Sequence, residues 1–434
     1  MNMSTPIPQI IKEYWQNDLP PLKERSISLF NEKNFINDIV GPRRAGKTYL
    51  MYLTIKKIIE DHAKEATIYI NFENRKLMPL QRSYFNDIIE FIYAENLLEQ
   101  HGTLYLFLDE IQRMDGWEKY LRSIYDEFKD RIRLYISGSS ANLLSKEYAQ
   151  LLTGRHLTSQ VFPLSFQEYL SFLDISVNSE VLTEREGAKI RKAFTQYLRT
   201  GGFPDVVLGS EKEAILSQLF TDIVVRDVLS RTTLRKADVV QEFSYYLAGN
   251  IGNLLSFNKM KNYFTSRGIH ISVPTLLNYF SYLKAAFLFF DSTIFSYTIK
   301  DQLLYPRKIY CVDTGLANAS GFRTSEDTGR LYENTVAIEL LRRGYSLHYW
   351  KTTQQKEVDF IAMKGTQVDL LLQVCTNIGS RDTYQREIQA LLKGLEAFHR
   401  KKGILLTDYD ERTERIHGKT IEIIPLWKWL ITKN

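Results

Sequence analysis

Short apolar runs, each closed by a polar turn, recur through the first 165 residues. Segments 35–40, 66–73, 103–108, 133–136 and 157–162 read as strands, and the near-continuous apolar character of 103–108 is that of a strand buried on both faces of a parallel sheet. Segment 49–59 between the first two strands reads as a helix, and 141–144 as another. Helical spacing of apolar residues returns at 222–228, 257–264, 275–283 and 331–341, and further strands follow at 348–350, 357–361 and 370–375. The pattern predicts an α/β chain.

A length of 434 residues implies two to four domains, and 44% hydrophobic with 25% charged residues is an ordinary globular balance. Two cysteines, Cys311 and Cys375, are too few for a disulfide framework or a zinc site and point to a reducing compartment. Lys12, Glu13 and Asp18 interrupt the start, which is no signal peptide, and the apolar run 285–290 is far short of a membrane span. The expectation is a soluble cytoplasmic protein that does not engage a membrane. Net charge is +5, and segment 230–300 carries that excess by itself: Arg231, Arg235, Lys236, Lys259, Lys261, Arg267, Lys284 and Lys300 against Asp238, Glu242 and Asp291. Such a segment is either an electrostatic footprint for nucleic acid or a solvated face.

The most specific chemistry lies between the first strand and the first helix. Gly41-Pro42-Arg43-Arg44-Ala45-Gly46-Lys47-Thr48 is a complete G-x-x-x-x-G-K-[ST] phosphate-binding loop. Its glycines let the backbone turn and bring N–H groups to phosphate oxygens. Lys47 places a charge on the β- and γ-phosphates, Thr48 offers a hydroxyl to Mg²⁺, and the helix continuing through Tyr49 points its positive end at the same phosphates. ATP and Mg²⁺ are therefore the expected ligands, with ADP as product. Asp109 and Glu110 close the strand 103–108, at the end where open α/β sheets bind ligands. Asp109 would organise the Mg²⁺ shell, and Glu110 would orient and deprotonate the attacking water. Ser137, after strand 133–136, either contacts the γ-phosphate or its water or belongs to a Ser/Gly turn. Arg155 is either an arginine finger or a surface residue in a turn.

Several segments together resemble the archaeal and bacterial AAA-type ATPases that carry a C-terminal domain of unknown function. They are the loop, Leu108-Asp109-Glu110-Ile111-Gln112, Ser137-Gly138-Ser139-Ser140, Leu152-Thr153-Gly154-Arg155, Phe162-Pro163-Leu164-Ser165-Phe166 and Gly201-Gly202-Phe203-Pro204. The resemblance covers nearly the whole chain from about residue 20. It implies a P-loop ATPase core with a parallel sheet (1–164), a helical lid (165–235), a winged helix-turn-helix domain (236–310) and a PD-(D/E)xK nuclease-like α/β domain (311–434). Arg226 and Asp227 in the lid are expected to be structural, with nucleotide sensing by Arg226 as the alternative. The helix 275–283 sits where a recognition helix would lie but carries no arginine, so DNA reading and protein contact both stay open. Nuclease relatives of the last domain use an early Glu, a middle Asp and a final Glu-x-Lys. Glu333 and Asp359 match the first two, whereas Gln373-Val374-Cys375 supplies neither the last acid nor the lysine. A nuclease fold without cleavage is expected, with Lys351 or Lys356 as spatial substitutes for the lysine.

The leading expectation is an ATPase whose hydrolysis drives a conformational change, with a protein client among the partners that stay open and a homo-oligomer if Arg155 acts on a neighbouring subunit. A nucleotide-dependent signalling switch or scaffold is one alternative. An ATP-regulated protein that binds or processes DNA through the winged helix is the other.

Overall fold

The five apolar runs at the start of the chain form one parallel sheet in the computed structural model, which describes residues 5–30, 32–139, 154–177, 183–229, 237–296, 298, 300, 302, 305–320, 328–352 and 356–432. Two units are distinguished, Met1–Val161 and Phe162–Asn434. In the first, β1 (Ile36–Val40), β2 (Thr67–Asn71), β3 (Leu104–Asp109), β4 (Ile132–Gly138) and β5 (His156–Gln160) lie in the order β2-β3-β4-β1-β5. All four neighbouring pairs are parallel. Every residue of β1 and β4 is buried, as expected for strands covered by helices on both faces. The order sets β4 between β1 and β3, so the loop after β1 and the acids at the end of β3 flank Ser137 of β4. That strand runs to Gly138, two residues past the predicted end.

The helix Pro6–Gln16 was not expected. Pro6 fixes the first turn, and Ile7, Ile10 and Ile11 bury one face. Each buried isoleucine contributes about 1.5–3 kcal/mol. Tyr14 and Trp15 then reach edge strand β2, through Tyr14 Oη to Thr67 Oγ1 at 2.7 Å and Trp15 Nε1 to the Thr67 carbonyl at 2.8 Å.

In the second unit, the helices Phe166–Phe172 and Glu184–Thr200 each start with a capping box, Ser165 with Glu168 and Thr183 with Glu186. The helices Phe257–Ser266 and Val273–Ala285 follow the predicted spacing, the second capped by Ser272, which accepts from the Thr275 N–H at 3.2 Å. The strands are β6 (Leu254–Leu255), β7 (Phe289–Ile294), β8 (Arg307–Cys311), β9 (Ser346–Lys351), β10 (Glu357–Lys364), β11 (Gln367–Val374), β12 (Lys402–Thr407), β13 (Arg412–Ile416) and β14 (Lys419–Pro425). They form one mixed sheet in the order β13-β14-β12-β11-β10-β9-β7-β8-β6. The helix Arg381–Ala397 lays Ile388, Leu391 and Leu395 over Val358, Leu371, Leu405 and Ile421 of this sheet. Among the described residues no helix is long and apolar enough to cross a membrane.

The Gly201-Gly202 pair has a steric reason. Gly201 is left-handed at φ +71°, and a Cβ there would lie 1.8 Å from Asp313 Oδ1. A Cβ on Gly202 would lie 2.4 Å from the Leu164 carbonyl. The space so freed lets Asp313 accept from the Gly202 and Leu316 N–H groups at 2.7 and 3.1 Å, while Tyr197 Oη donates to the Leu164 carbonyl at 2.9 Å. Burial pushes the Asp313 carboxyl up to about 6 against these hydrogen bonds. The motifs around 164, 201 and 313 thus make one buried polar joint.

Candidate active site

Gly41 leaves β1 at φ +150°, and a Cβ on it would stand 2.2 Å from the Val161 carbonyl oxygen. No other residue fits so close to that backbone. Pro42 accepts from the Ala45 N–H at 3.3 Å, Arg44 is left-handed at φ +62°, and Gly46 at φ +98° turns the chain into the helix Lys47–Asp61. Gly46 brings no capping side chain, so the first N–H groups of that helix, those of Lys47, Thr48 and Tyr49, form its positive end. Lys47 is buried and curls over the loop, donating to the Gly41 and Pro42 carbonyls at 3.1 and 3.0 Å. Arg43 follows Pro42 within the loop. The Tyr49 ring is exposed and meets Tyr52 edge-on at 6.4 Å, so only its backbone joins the loop.

Opposite the loop, Thr48 Oγ1 donates to Asp109 Oδ2 at 2.7 Å. Tyr69 Oη donates to the same oxygen at 2.8 Å and Asn71 Nδ2 at 3.3 Å, while Ser137 Oγ donates to Oδ1. Asp109 is fully buried, and burial raises its pKa although these hydrogen bonds oppose the shift. Ser137 also accepts from the Glu110 N–H at 3.1 Å, so one hydroxyl ties both acids to β4. Glu110 is left-handed at φ +55°, which turns its side chain out of the strand, and its carboxylate accepts from Gln112 Nε2 at 2.5 Å.

Loop, Thr48, Asp109, Glu110 and Ser137 therefore come together. Arg155 does not join them. It precedes β5, and its carbonyl accepts from the Ile36 N–H at 2.9 Å, at the sheet edge where β1 begins. The five residues of β1 separate that edge from the loop, roughly 16 Å at the usual strand rise. Arg155 pairs there with Asp126 at 2.9 Å over the Tyr125 ring. Arg226, on the π-helical turn Ile223–Val228, sits 3.7 Å from Asp222. Ser140, Leu152, Thr153, the predicted helix 141–144, and Arg231, Arg235 and Lys236 lie outside the described residues.

Three contributors escaped the sequence reading: Tyr69, Asn71 and Arg25, whose Nη1 donates to the Ala45 carbonyl at 3.0 Å. Asn71 and Asp109 are register partners in the β2/β3 pair. A polar residue closing an apolar strand was the available signal for Asn71.

In the second unit Glu333 and Asp359 converge, on Lys308 rather than on Lys351 or Lys356. Lys308 Nζ lies 2.8 Å from Glu333 and 2.9 Å from Asp359. Lys351 pairs with Glu357 at 2.9 Å, and Lys356 bonds Gln389. Gln373 donates to Glu387 at 2.6 Å, and Cys375 is half-buried with its thiol on the Asn377 carbonyl at 3.4 Å.

Comparison with known proteins adds three matches along the chain. An AAA domain matches residues 33–170, and two domains of unknown function, DUF8612 and DUF4143, match 191–326 and 328–429. An uncharacterized protein of Methanocaldococcus jannaschii is 33% identical over 421 residues, covering 94% of this chain and 91% of the relative. An uncharacterized protein of Haemophilus influenzae is 34% identical over 412 residues, covering 93% and 96%. The solved Walker-type ATPase of Pyrococcus abyssi aligns with 66% of this chain and 91% of its own at 14% identity, with a TM-score of 0.42.

Proposed function

The chain belongs to the family of the Methanocaldococcus jannaschii and Haemophilus influenzae relatives, with an AAA-type P-loop ATPase domain at its amino-terminal end, and from that premise we propose that it binds ATP with Mg²⁺ and hydrolyses it to drive a conformational change. One observation carries the reading: Thr48 of the loop's helix and Asp109 at the end of β3 are hydrogen-bonded at 2.7 Å. A hydroxyl and a carboxylate from two elements thereby meet beside the loop, an oxygen pair suited to a hard cation.

Thr48 and Asp109 would hold Mg²⁺, which supplies charge neutralisation for the β- and γ-phosphates when bound. The backbone N–H groups of the loop other than Pro42, and of the first turn of its helix, cradle the phosphates, and Lys47 exchanges its two loop carbonyls for phosphate oxygens. Glu110 takes the proton of the attacking water, with its backbone fixed by Ser137. Arg155, at the far edge of the sheet, reaches a γ-phosphate only in a second copy, which makes an oligomer part of the proposal. The test is Glu110→Gln. ATP binding should persist while multiple-turnover hydrolysis falls about 10²–10⁴-fold. Normal turnover by this variant would place the base elsewhere.

A slow nucleotide switch is the second reading, favoured by the Gln112 bond that restrains the Glu110 carboxylate. For residues 236–310 as a winged helix, protein contact is the stronger reading. Arg267 pairs with Glu242 and Lys284 with Asp291, which ties up two of the segment's bases, and the helix Val273–Ala285 exposes Leu277. Residues 165–235 serve as the lid, and 311–434 as a nuclease-like domain that does not cut DNA.

A further inference from the structure

Lys308 is the most enclosed cation described in the second unit, with a side chain only 4% exposed. It stands on β8, between Arg307 and the buried run Ile309-Tyr310-Cys311. Three carboxylates surround its ammonium: Glu333 Oε1 at 2.8 Å, Glu357 Oε1 at 2.7 Å and Asp359 Oδ1 at 2.9 Å. Glu333 comes from the helix Thr328–Arg342, and Glu357 and Asp359 from β10. An ammonium has three N–H donors, and here each meets one carboxylate.

Further groups hold the same three acids. Tyr310 Oη donates to Glu333 Oε1 at 2.8 Å, Lys351 meets Glu357 Oε2 at 2.9 Å, and the Val374 N–H donates to Asp359 Oδ2 at 3.0 Å. Gln373 takes the Asp359 N–H on its Oε1 at 3.1 Å and gives its Nε2 to Glu387 at 2.6 Å, so its amide is committed away from the ammonium. A divalent cation would need the inward carboxylate oxygens at roughly 2.0–2.6 Å, the position the ammonium holds. Entry would expel Lys308 from its partners and leave a buried, unpaired charge, which is strongly unfavourable.

We propose that Lys308 is the resident cation of this carboxylate cluster, that it closes the C-terminal domain to divalent metals, and that removing it opens a metal site. The inference rests on the non-cleaving nuclease-like reading only for why acids gather there. It replaces a missing lysine at position 375 with a lysine from outside the segment 311–434.

The experiment measures Mn²⁺ uptake by the full chain without nucleotide, using electron paramagnetic resonance. The wild type should show no uptake that depends on Asp359. Lys308→Met should gain one ion per chain, bound at least tenfold more tightly than by the wild type, and Lys308→Met with Asp359→Asn should lose it. Glu333 and Asp359 left without their cation will weaken the variant's fold, so Mn²⁺ at about a hundredfold over its Kd should raise its melting temperature by roughly 5–10 °C and leave the wild type unmoved. Lys308→Met with Glu333→Gln carries one charge fewer and should still take up the ion, less tightly than Lys308→Met alone. Asp359-dependent uptake by the wild type would overturn the proposal. So would the absence of uptake and of rescue by Mn²⁺ in both Lys308 variants. DNA cleavage by the wild type that vanishes in Asp359→Ala would instead overturn the non-cleaving reading.

Discussion

Asp109 and Asp359 are both buried aspartates on apolar strands, and their surroundings differ in one respect that governs their chemistry. Asp109 accepts from the hydroxyls of Thr48, Tyr69 and Ser137 and from the Asn71 amide, all neutral donors. Asp359 faces the ammonium of Lys308, which two further carboxylates share. A threonine hydroxyl can rotate its proton away and offer a lone pair to a cation. An ammonium has no lone pair, and its charge already occupies the place a metal would take. Two acid clusters that look alike in sequence therefore differ in whether metal can enter.

The contrast breaks most visibly at Lys47. Lys47→Ala should abolish ATP binding at micromolar concentration, because the phosphates lose their only buried cation in the loop, and titration with a fluorescent ATP analogue reads this directly. Unchanged affinity in a folded variant would remove the loop from the account. A pH titration of stability sharpens the other side. Burial holds the Glu333 carboxyl up to about 7, with Lys308 opposing and Asp359 adding, against an ordinary value of 4.5. The folded chain thus retains a proton that the unfolded chain releases. The contribution of this group to stability is greatest below about pH 4.5 and falls as pH rises to about 7. Denaturant melts of wild type and Glu333→Gln across that range should differ in slope, and parallel curves would contradict the assignment.

Asp109→Asn should weaken the Mg²⁺-dependent part of ATP binding by about 10–100-fold, whereas Asp359→Asn should leave it unchanged. Calorimetry with and without Mg²⁺ separates the two. The smallest effect concerns Arg155. If it acts on a neighbouring copy, the ATPase rate per chain rises with protein concentration, and Arg155→Ala removes that rise without altering nucleotide affinity. A rate independent of concentration would make Arg155 a surface residue held by Asp126.

What the sequence could reveal follows the distance over which each feature is written. The loop 41–48 and the pair Asp109-Glu110 are local patterns at strand ends, so their spacing exposed them. The helix Pro6–Gln16 is as local, with Ile7, Ile10 and Ile11 on one face. Tyr69 and Asn71 reach Asp109 through the register of β2 against β3, which no local pattern encodes. Lys308 lies 51 residues from Asp359 and reaches it from β8, beyond the expected edge of the last domain. Its one signal was a lysine set in the strand Arg307–Cys311 among buried neighbours.

The most direct measurement of the contrast is a count of Mn²⁺ bound per full chain in the presence of a non-hydrolysable ATP analogue. One ion per chain is predicted, with its affinity reduced by Asp109→Asn and untouched by Asp359→Asn. An ion that survives Asp109→Asn and disappears in Asp359→Asn would contradict the account, because the metal would then reside in the cluster that Lys308 is said to close.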